Sequence, residues 1–391
     1  MKRRAPPGVL PLWAVLLIVL LSVVVVLYQG VAILFAFEMP ELGPAPGSSR
    51  PDGRVSVVIP ARNEADDLPA TLDGLLAQDY ENLEVVVVDG GSTDGSREAA
   101  RARGSRVRLI EEDPLPAGWV GKNWACWTGA QATHGDWLLF LDADVRCTPT
   151  AVRSVVAYAE TERADLVSIS PRVEMVGFWE RLILPFFVQM VLVYFRAPRV
   201  NRDTSHAAIA NGQFLLVRRD TYARVGGHQS IRSYVLEDVE LARRVRAAHG
   251  RLRMTQSPDL ATTRMYRDPA EMFEGLLKNV HGREFSAARQ LGFLAGLVGL
   301  FWLPLAVLPV GLWTGSLVLT ILGAFLYVAL FGKHVGFARG LGSPAVYGLL
   351  YPLAVGYYVV LVGTSLVRGV RRRPVEWKGR QYDLLEPGHP N

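Results

Sequence analysis

The feature that most limits what this chain can become is the stretch from Val9 to Phe37, which holds no charged side chain. It is longer than the roughly 20 apolar residues that carry a helix across a bilayer. Lys2, Arg3 and Arg4 precede it, as they would in a signal peptide. A signal core is only about 7–15 residues long, and no small-x-small cleavage site follows this one, so an uncleaved anchor is expected. Three more apolar candidates lie near the other end: Leu291–Leu312, Gly315–Phe331 and Ala345–Val367. The middle one is the shortest and is the candidate for a re-entrant helix. A hydrophobic fraction of 50% and a mean hydropathy of +0.19 agree with a multi-pass membrane protein. The chain therefore divides into an anchor and linker over residues 1–50, a central block over 51–285, and a transmembrane region with a basic tail over 286–391.

Within the central part, Glu41 to Gly53 is rich in Pro, Gly and Ser and reads as a linker. Val55–Ile59 is a strand ended by Pro60, and Leu68, Leu72, Leu75 and Leu76 mark a helix between Asp66 and Gln78. Val85–Val88 is the next strand, followed by the turn Gly90–Gly95, a helix from Ser96 to Arg103 and a strand at Val107–Ile110. Asn123–His134 reads as a helix leading into a strand at Trp137–Leu141. Strands alternating with helices predict βαβ units and an α/β fold with a mostly parallel sheet. The run Leu182–Phe195 is apolar apart from Gln189, is flanked by Arg181 and Arg196, and contains Pro185. It is too short to span; it fits either a helix lying in the membrane interface or a buried core helix, and the interfacial reading is the expectation.

Net charge is +5, from 42 basic and 37 acidic residues, which suits an anionic partner such as phospholipid or nucleotide. Nothing further in the sequence supports nucleic acid. Cys126 and Cys147 are the only cysteines and form no CxxC, so buried apolar roles are expected rather than a disulfide framework.

Chemistry enters through three acidic clusters: Asp89, then Asp142 and Asp144, then Glu237 and Asp238. The first two clusters end apolar strands, where open α/β sheets bind ligands. Asp142 and Asp144 share a face, being two residues apart at a strand end. Two carboxylates there repel unless a cation sits between them, and a hard divalent cation takes both carboxylate and phosphate oxygens. The turn Gly90-Gly91-Ser92-Thr93-Asp94-Gly95 matches neither the dinucleotide fingerprint nor a P-loop.

Six stretches in order carry a resemblance: Val57–Glu64, Val88–Gly95, Gly121–Ala125, Asp142-Ala143-Asp144, Asn211–Phe214 and Glu237-Asp238. They resemble membrane-bound family-2 glycosyltransferases with a GT-A fold, over about Arg54 to Asn279. Among these, the chain looks closest to enzymes that glycosylate hydrophobic lipids of the carotenoid, hopanoid or ceramide kind. The resemblance implies Mg²⁺ or Mn²⁺ held by Asp142 and Asp144 against a donor diphosphate. It implies donor contacts from Pro60, Glu64, Asp89, Asp94 and Lys122, with Asp94 equally suited to capping the next helix. It implies Asp238, beside Glu237, as the base that takes the acceptor's proton. Asn211 and Gly212 would lie beside the acceptor. The QxxRW string of polymer synthases is absent, and Arg264 and Lys278 are candidates for the diphosphate contacts it would supply. Trp119 and Trp124 could wall a sugar pocket or pack in the core.

The expectation is inverting transfer of one sugar from a nucleotide-diphosphate sugar to a lipid acceptor, by a multi-pass protein among membrane lipids with its catalytic block facing the cytoplasm. The alternatives are transfer to a polyprenyl phosphate, a polysaccharide synthase, and a non-catalytic membrane adaptor.

Overall fold

The computed structural model describes residues 10–49, 51–112, 114–280, 286–371, 375–377 and 380–382. The basic residues Lys2, Arg3, Arg4, Arg372 and Arg373 lie outside them. Helix α1 (Leu12–Glu38) opens the chain. The first βαβ run is β1 (Val55–Ala61), α2 (Leu68–Leu76), β2 (Leu83–Asp89), α3 (Ser96–Arg101), β3 (Arg108–Glu111), α4 (Gly121–Gln131) and β4 (Trp137–Leu141). Next come β5 (Val145–Cys147), α5 (Ala151–Thr161), β6 (Leu166–Ser170), β7 (Arg172–Val173) and α6 (Phe178–Tyr194). Then follow β8 (Phe214–Arg218), α7 (Arg219–Arg224), α8 (Gly227–Ser230), α9 (Glu237–Ala247), β9 (Leu252–Gln256), β10 (Ala261–Thr263) and α10 (Pro269–Val280). The last helices are α11 (Ala287–Leu297), α12 (Leu303–Thr314), α13 (Leu317–Gly340), α14 (Ala345–Leu349) and α15 (Tyr351–Val370), with a π-helical turn at Val298–Trp302 joining α11 to α12. The short strands β11 (Val375–Trp377) and β12 (Arg380–Tyr382) pair beyond them.

Seven strands form one sheet in the order β3-β2-β1-β4-β8-β6-β9, parallel except for β8, which runs against both neighbours. The chain leaves β1 towards β2 on one side and returns from β3 to β4 on the other, so the strand order reverses between β1 and β4. That reversal opens a crevice at the strand ends. Alternate residues feed two cores. Val57, Ile59 and Leu139 meet α2 and α5, while Val58, Val88 and Phe140 meet α4 and α9. Gly129 of α4 is needed for this: a Cβ there would lie 2.3 Å from Val58 Cγ1. Both cysteines are buried and unpaired. The segment read as a linker is docked, not loose. Leu42 donates its backbone N–H to Gln256 (2.8 Å), and Ala45 donates to Ser154 Oγ.

Four helices among the described residues are long and apolar enough to cross a membrane: Leu12–Ala36, Ala287–Thr314, Leu317–Gly340 and Tyr351–Val370. Gly315–Phe331 is therefore not a short element but part of the full-length α13. The helix runs on through Lys333 and His334, which are buried. Lys333 bonds Gln29 of α1, and His334 stacks on Tyr351 with centroids 4.1 Å apart. Small residues let α12 and α13 touch backbone to backbone: a Cβ on Gly323 would sit 2.4 Å from Leu308 Cα.

Helix α6 corrects the interfacial reading. Leu182, Ile183, Leu184 and Phe186 are buried in the same apolar cluster as Phe301, Tyr351 and Tyr358 of the bundle. Phe186 packs edge-on to Phe301 at 5.1 Å. The middle of the helix is packed between sheet domain and bundle, while Phe178, Trp179 and Tyr194 at its ends stay exposed. The path of α14 and α15 is also informative. Gly348 lies against Val335, which puts α14 antiparallel to α13 and heading back into the bundle. Tyr351 then bonds Phe301 O, Trp302 donates to Pro352 O at 3.0 Å, and α15 climbs until Arg368 forks onto Glu274 of α10 at 2.7 and 2.8 Å.

Candidate active site

A cavity of about 1070 Å³ opens at the ends of β1, β2 and β4. Its polar half is lined by Pro60, Glu64, Lys122, Asp142, Asp144, Asn211, Gly212, Glu237 and Asp238, and Arg264 and Lys278 also face it. Six sequence-distant motifs thus meet in one space. Its apolar half is walled by Leu184, Phe187, Val191, Phe293 and Tyr358, from α6, α11 and α15.

Asp142 and Asp144 flank the turn from β4 to β5. Lys122, at the start of α4, bonds Asp142 Oδ1 at 2.7 Å and Glu237 Oε1 at 2.8 Å. Burial opposes the lysine's charge, but the two carboxylates outweigh it and hold the ammonium well above the ordinary lysine range. Asp144 Oδ2 accepts a hydrogen bond from Thr263 Oγ1 at 3.0 Å. The two aspartates form an oxygen-only donor set that fits Mg²⁺ or Mn²⁺. Among the described residues no three His, Cys, Asp or Glu side chains are grouped to hold a metal ion. A cation here would complete its shell with ligand and water oxygens.

Asp238 opens α9. Its Oδ2 accepts the Gly212 N–H at 2.7 Å and its Oδ1 the Val239 N–H at 2.8 Å. Burial and then the neighbouring Glu237 charge push its carboxyl up to about 7, against the pull of Lys122 and the two amides. A carboxylate that titrates there is matched to proton transfer near neutrality. Gly212 keeps this approach open, since a Cβ would come 3.1 Å from Glu237 Oε1 and 3.2 Å from Asp238 Oδ2 and would press both carboxylates aside. Asn211 and Gln213 brace each other through Asn211 Oδ1 and Nδ2, both at 3.1 Å.

Asp89 is buried at the end of β2. Its Oδ2 takes the Gly91 and Ser92 amides and Arg97 Nε at 2.6 Å, while the buried Oδ1 has no hydrogen-bond partner. Burial pushes this carboxyl up, but Ser92 and Arg97 more than offset it and hold the group below the usual range. The orphan oxygen is the kind of acceptor a nucleotide N–H or hydroxyl satisfies. Asp94 does not line the cavity. Its oxygens bind the Ala65 and Ser96 amides, so it ties the β1 loop to the start of α3. Trp119 and Trp124 also lie off the cavity, packed on each other at 5.0 Å. The Asn201 side-chain amide is paired with the Met254 backbone, accepting its N–H at 2.8 Å and donating to its carbonyl at 2.9 Å, which fixes one end of the loop before Asn211. Thr263 and Glu180, the partner of Arg264, were not legible in the sequence. Each reaches its partner across 119 and 84 positions, and no local spacing marks either.

A crevice at a sheet's switch point, opening onto helices long and apolar enough to cross a membrane, is the architecture of a GT-A fold with membrane-span candidates on either side of it. Residues 56–226 match the family described as Glycosyl transferase family 2. The 4,4'-diaponeurosporenoate glycosyltransferase of Staphylococcus haemolyticus is 28% identical over 229 residues, 58% of this chain and 60% of that protein. The chain thus spans less than two thirds of that relative. The enzyme of the same name from Staphylococcus aureus is 24% identical over 341 residues, covering 84% of this chain and 88% of that one. Mannosyltransferase PcManGT from Pyrobaculum calidifontis, solved with GDP-Man and Mn²⁺, superposes with a TM-score of 0.52 at 17% identity, over 90% of this chain and 99% of that one.

Proposed function

We propose that this protein is an inverting glycosyltransferase that moves a single sugar from a nucleotide-diphosphate sugar to a hydroxyl or carboxyl group of a hydrophobic lipid. The observation that carries this is the continuity of one cavity from Asp142, Asp144 and Asp238 to the apolar walls of α6, α11 and α15. The carotenoid-acid acceptor in the relatives' names agrees with it. In this reading Asp89 and Glu64 hold the nucleoside, and Lys122 and Arg264 face the diphosphate. Asp142 and Asp144 would hold Mg²⁺ or Mn²⁺, which supplies positive charge against the departing diphosphate. Gly212 orients Asp238, and Asp238 takes the acceptor proton as the acceptor oxygen attacks the anomeric carbon. The apolar walls exclude water, which would otherwise compete as acceptor.

The catalytic domain is assigned to the cytoplasmic face, where nucleotide sugars are available. The course of α14 and α15 supports three crossings, by α1, α11–α12 and α13, with α14–α15 as the re-entrant unit. His334, against which Tyr351 stacks, lies six residues below the end of α13, about 9 Å at the helical rise. Helix α15 therefore starts inside the bilayer and returns to the catalytic side, keeping Arg368 and Arg371 there in accord with the positive-inside bias. Lys2, Arg3 and Arg4 fall on the far side, against that bias.

The test is mass spectrometry of lipids from cells with and without the protein, beside cells carrying Asp144→Ala. A lipid shifted by one hexose only with the intact protein supports the assignment. A ladder of long products, or no change in any lipid, removes it.

A further inference from the structure

Residues 263 and 264 stand between the two halves of the cavity. Thr263 turns to Asp144, and the next residue, Arg264, forks onto Glu180, with Nε to Oε1 at 3.0 Å and Nη2 to Oε2 at 3.4 Å. Glu180 is only 6% exposed. Its Oε2 also accepts the backbone N–H of Gly177 and, at 3.1 Å, that of Val176, the amides that open α6. Helix α6 is the apolar wall of the same cavity. Arg264 thus spends two nitrogens on Glu180, while Nη1 has no hydrogen-bond partner among the described residues and 22% of the side chain stays exposed in the cavity. A planar guanidinium held along one edge presents its other edge in a fixed direction. A carboxylate beside an anion site ordinarily weakens the site. Here it is buried, and it grips the arginine and the acceptor helix together.

We propose that Glu180 is a positioning residue that aims Arg264 at the donor's diphosphate, and that this ion pair couples donor occupancy to the first turn of the acceptor helix α6. The inference rests on the donor reading above. A diphosphate on Nη1 immobilises the guanidinium, then Glu180, then the two amides Glu180 caps. Donor binding in this way firms the wall against which the lipid must pack, which favours donor before acceptor.

The probe is pyrophosphate with Mn²⁺, titrated calorimetrically into the full chain in nanodiscs. Removing a negative charge near an anion should, by Coulomb attraction alone, tighten binding. Positioning predicts the reverse: Glu180→Gln weakens binding by about fivefold or more. Arg264→Gln weakens it at least as much, and adding Glu180→Gln to Arg264→Gln changes nothing further. Unchanged or tighter binding by Glu180→Gln, or losses that add, overturns the proposal. A second measurement needs no substitution. Hydrogen exchange of the wild type should slow at residues 176–181 when Mn²⁺ and pyrophosphate are added, and stay unchanged in α1. No slowing at residues 176–181 overturns the coupling. A wild type that takes up no pyrophosphate refutes the donor reading itself, and the inference falls with it.

Discussion

Replacing Asp238 by Asn tests the base most directly, because the side chain keeps its shape and one of the two oxygens that accept the Gly212 and Val239 N–H groups while losing the ability to take a proton. Removal of a general base costs about 10²–10⁴-fold in rate. The geometry also fixes how the rate depends on pH. With the Asp238 carboxyl titrating at about 7, only its ionised form is a base. The wild-type rate should then fall about tenfold per pH unit below that point and level off above it. The neighbours push this limb in opposite directions. Glu237 raises the carboxyl by like charge, so Glu237→Gln moves the limb to lower pH. Lys122 lowers it, so Lys122→Met moves the limb to higher pH. Single-turnover transfer to extracted lipid at saturating donor, from pH 5 to 9, is the assay. Near-normal transfer by Asp238→Asn, or a limb that neither neighbour moves, refutes the base assignment. The first result would favour an acceptor that arrives already ionised, as a polyprenyl phosphate does.

The same carboxyl should leave a mark on stability. Its folded value of about 7 lies above the ordinary 3.8, so its favourable contribution is present at low pH and is lost as pH rises through 7. Asp238→Asn should therefore gain on wild type as pH rises to 8, with the difference shrinking through the acid range and levelling off only near the unfolded value of 3.8; thermal unfolding in detergent reads this. Thr263→Val deletes the hydroxyl on Asp144 and should weaken Mn²⁺ binding by about 10–100-fold, measured by calorimetry with a nucleotide diphosphate present. Gly323→Ala drives a methyl into the Leu308 backbone and should cost about 1–3 kcal/mol, seen as a lower melting temperature with donor affinity kept.

The parts legible in the sequence were those whose signal is local. Val85–Val88 and Trp137–Leu141 read as buried strands because both faces are covered, and their terminal aspartates follow at once in sequence. What failed was whatever depends on distant partners. Leu182–Phe195 has the same composition whether it faces lipid or the bundle, and only Phe301, Tyr351 and Tyr358, far along the chain, decide between them. Lys333 and His334 looked like the end of a span, yet Gln29 and Tyr351 accommodate them within α13, which makes that helix longer than its apolar run. Asp94 has the residue type of a ligand contact and the position of a brace. Glu180 carries no local signal, and its tie to Arg264 needed the fold.

The bond between Gln29 and Lys333 has a consequence for how the protein is made. The two residues are 304 positions apart, on the first and the third long apolar helices. Helix α1 leaves the ribosome early, and its Gln29 Oε1 waits for Lys333 while the entire sheet domain and two further helix segments are synthesised, one of which supplies Leu300 O to Nε2. At about 5–20 residues per second that delay is some tens of seconds. A chain truncated before α13 lacks the Lys333 partner of Gln29 Oε1, although Gln29 Nε2 can still donate to Leu300 O. The clasp thus closes only when nearly the whole chain has been delivered.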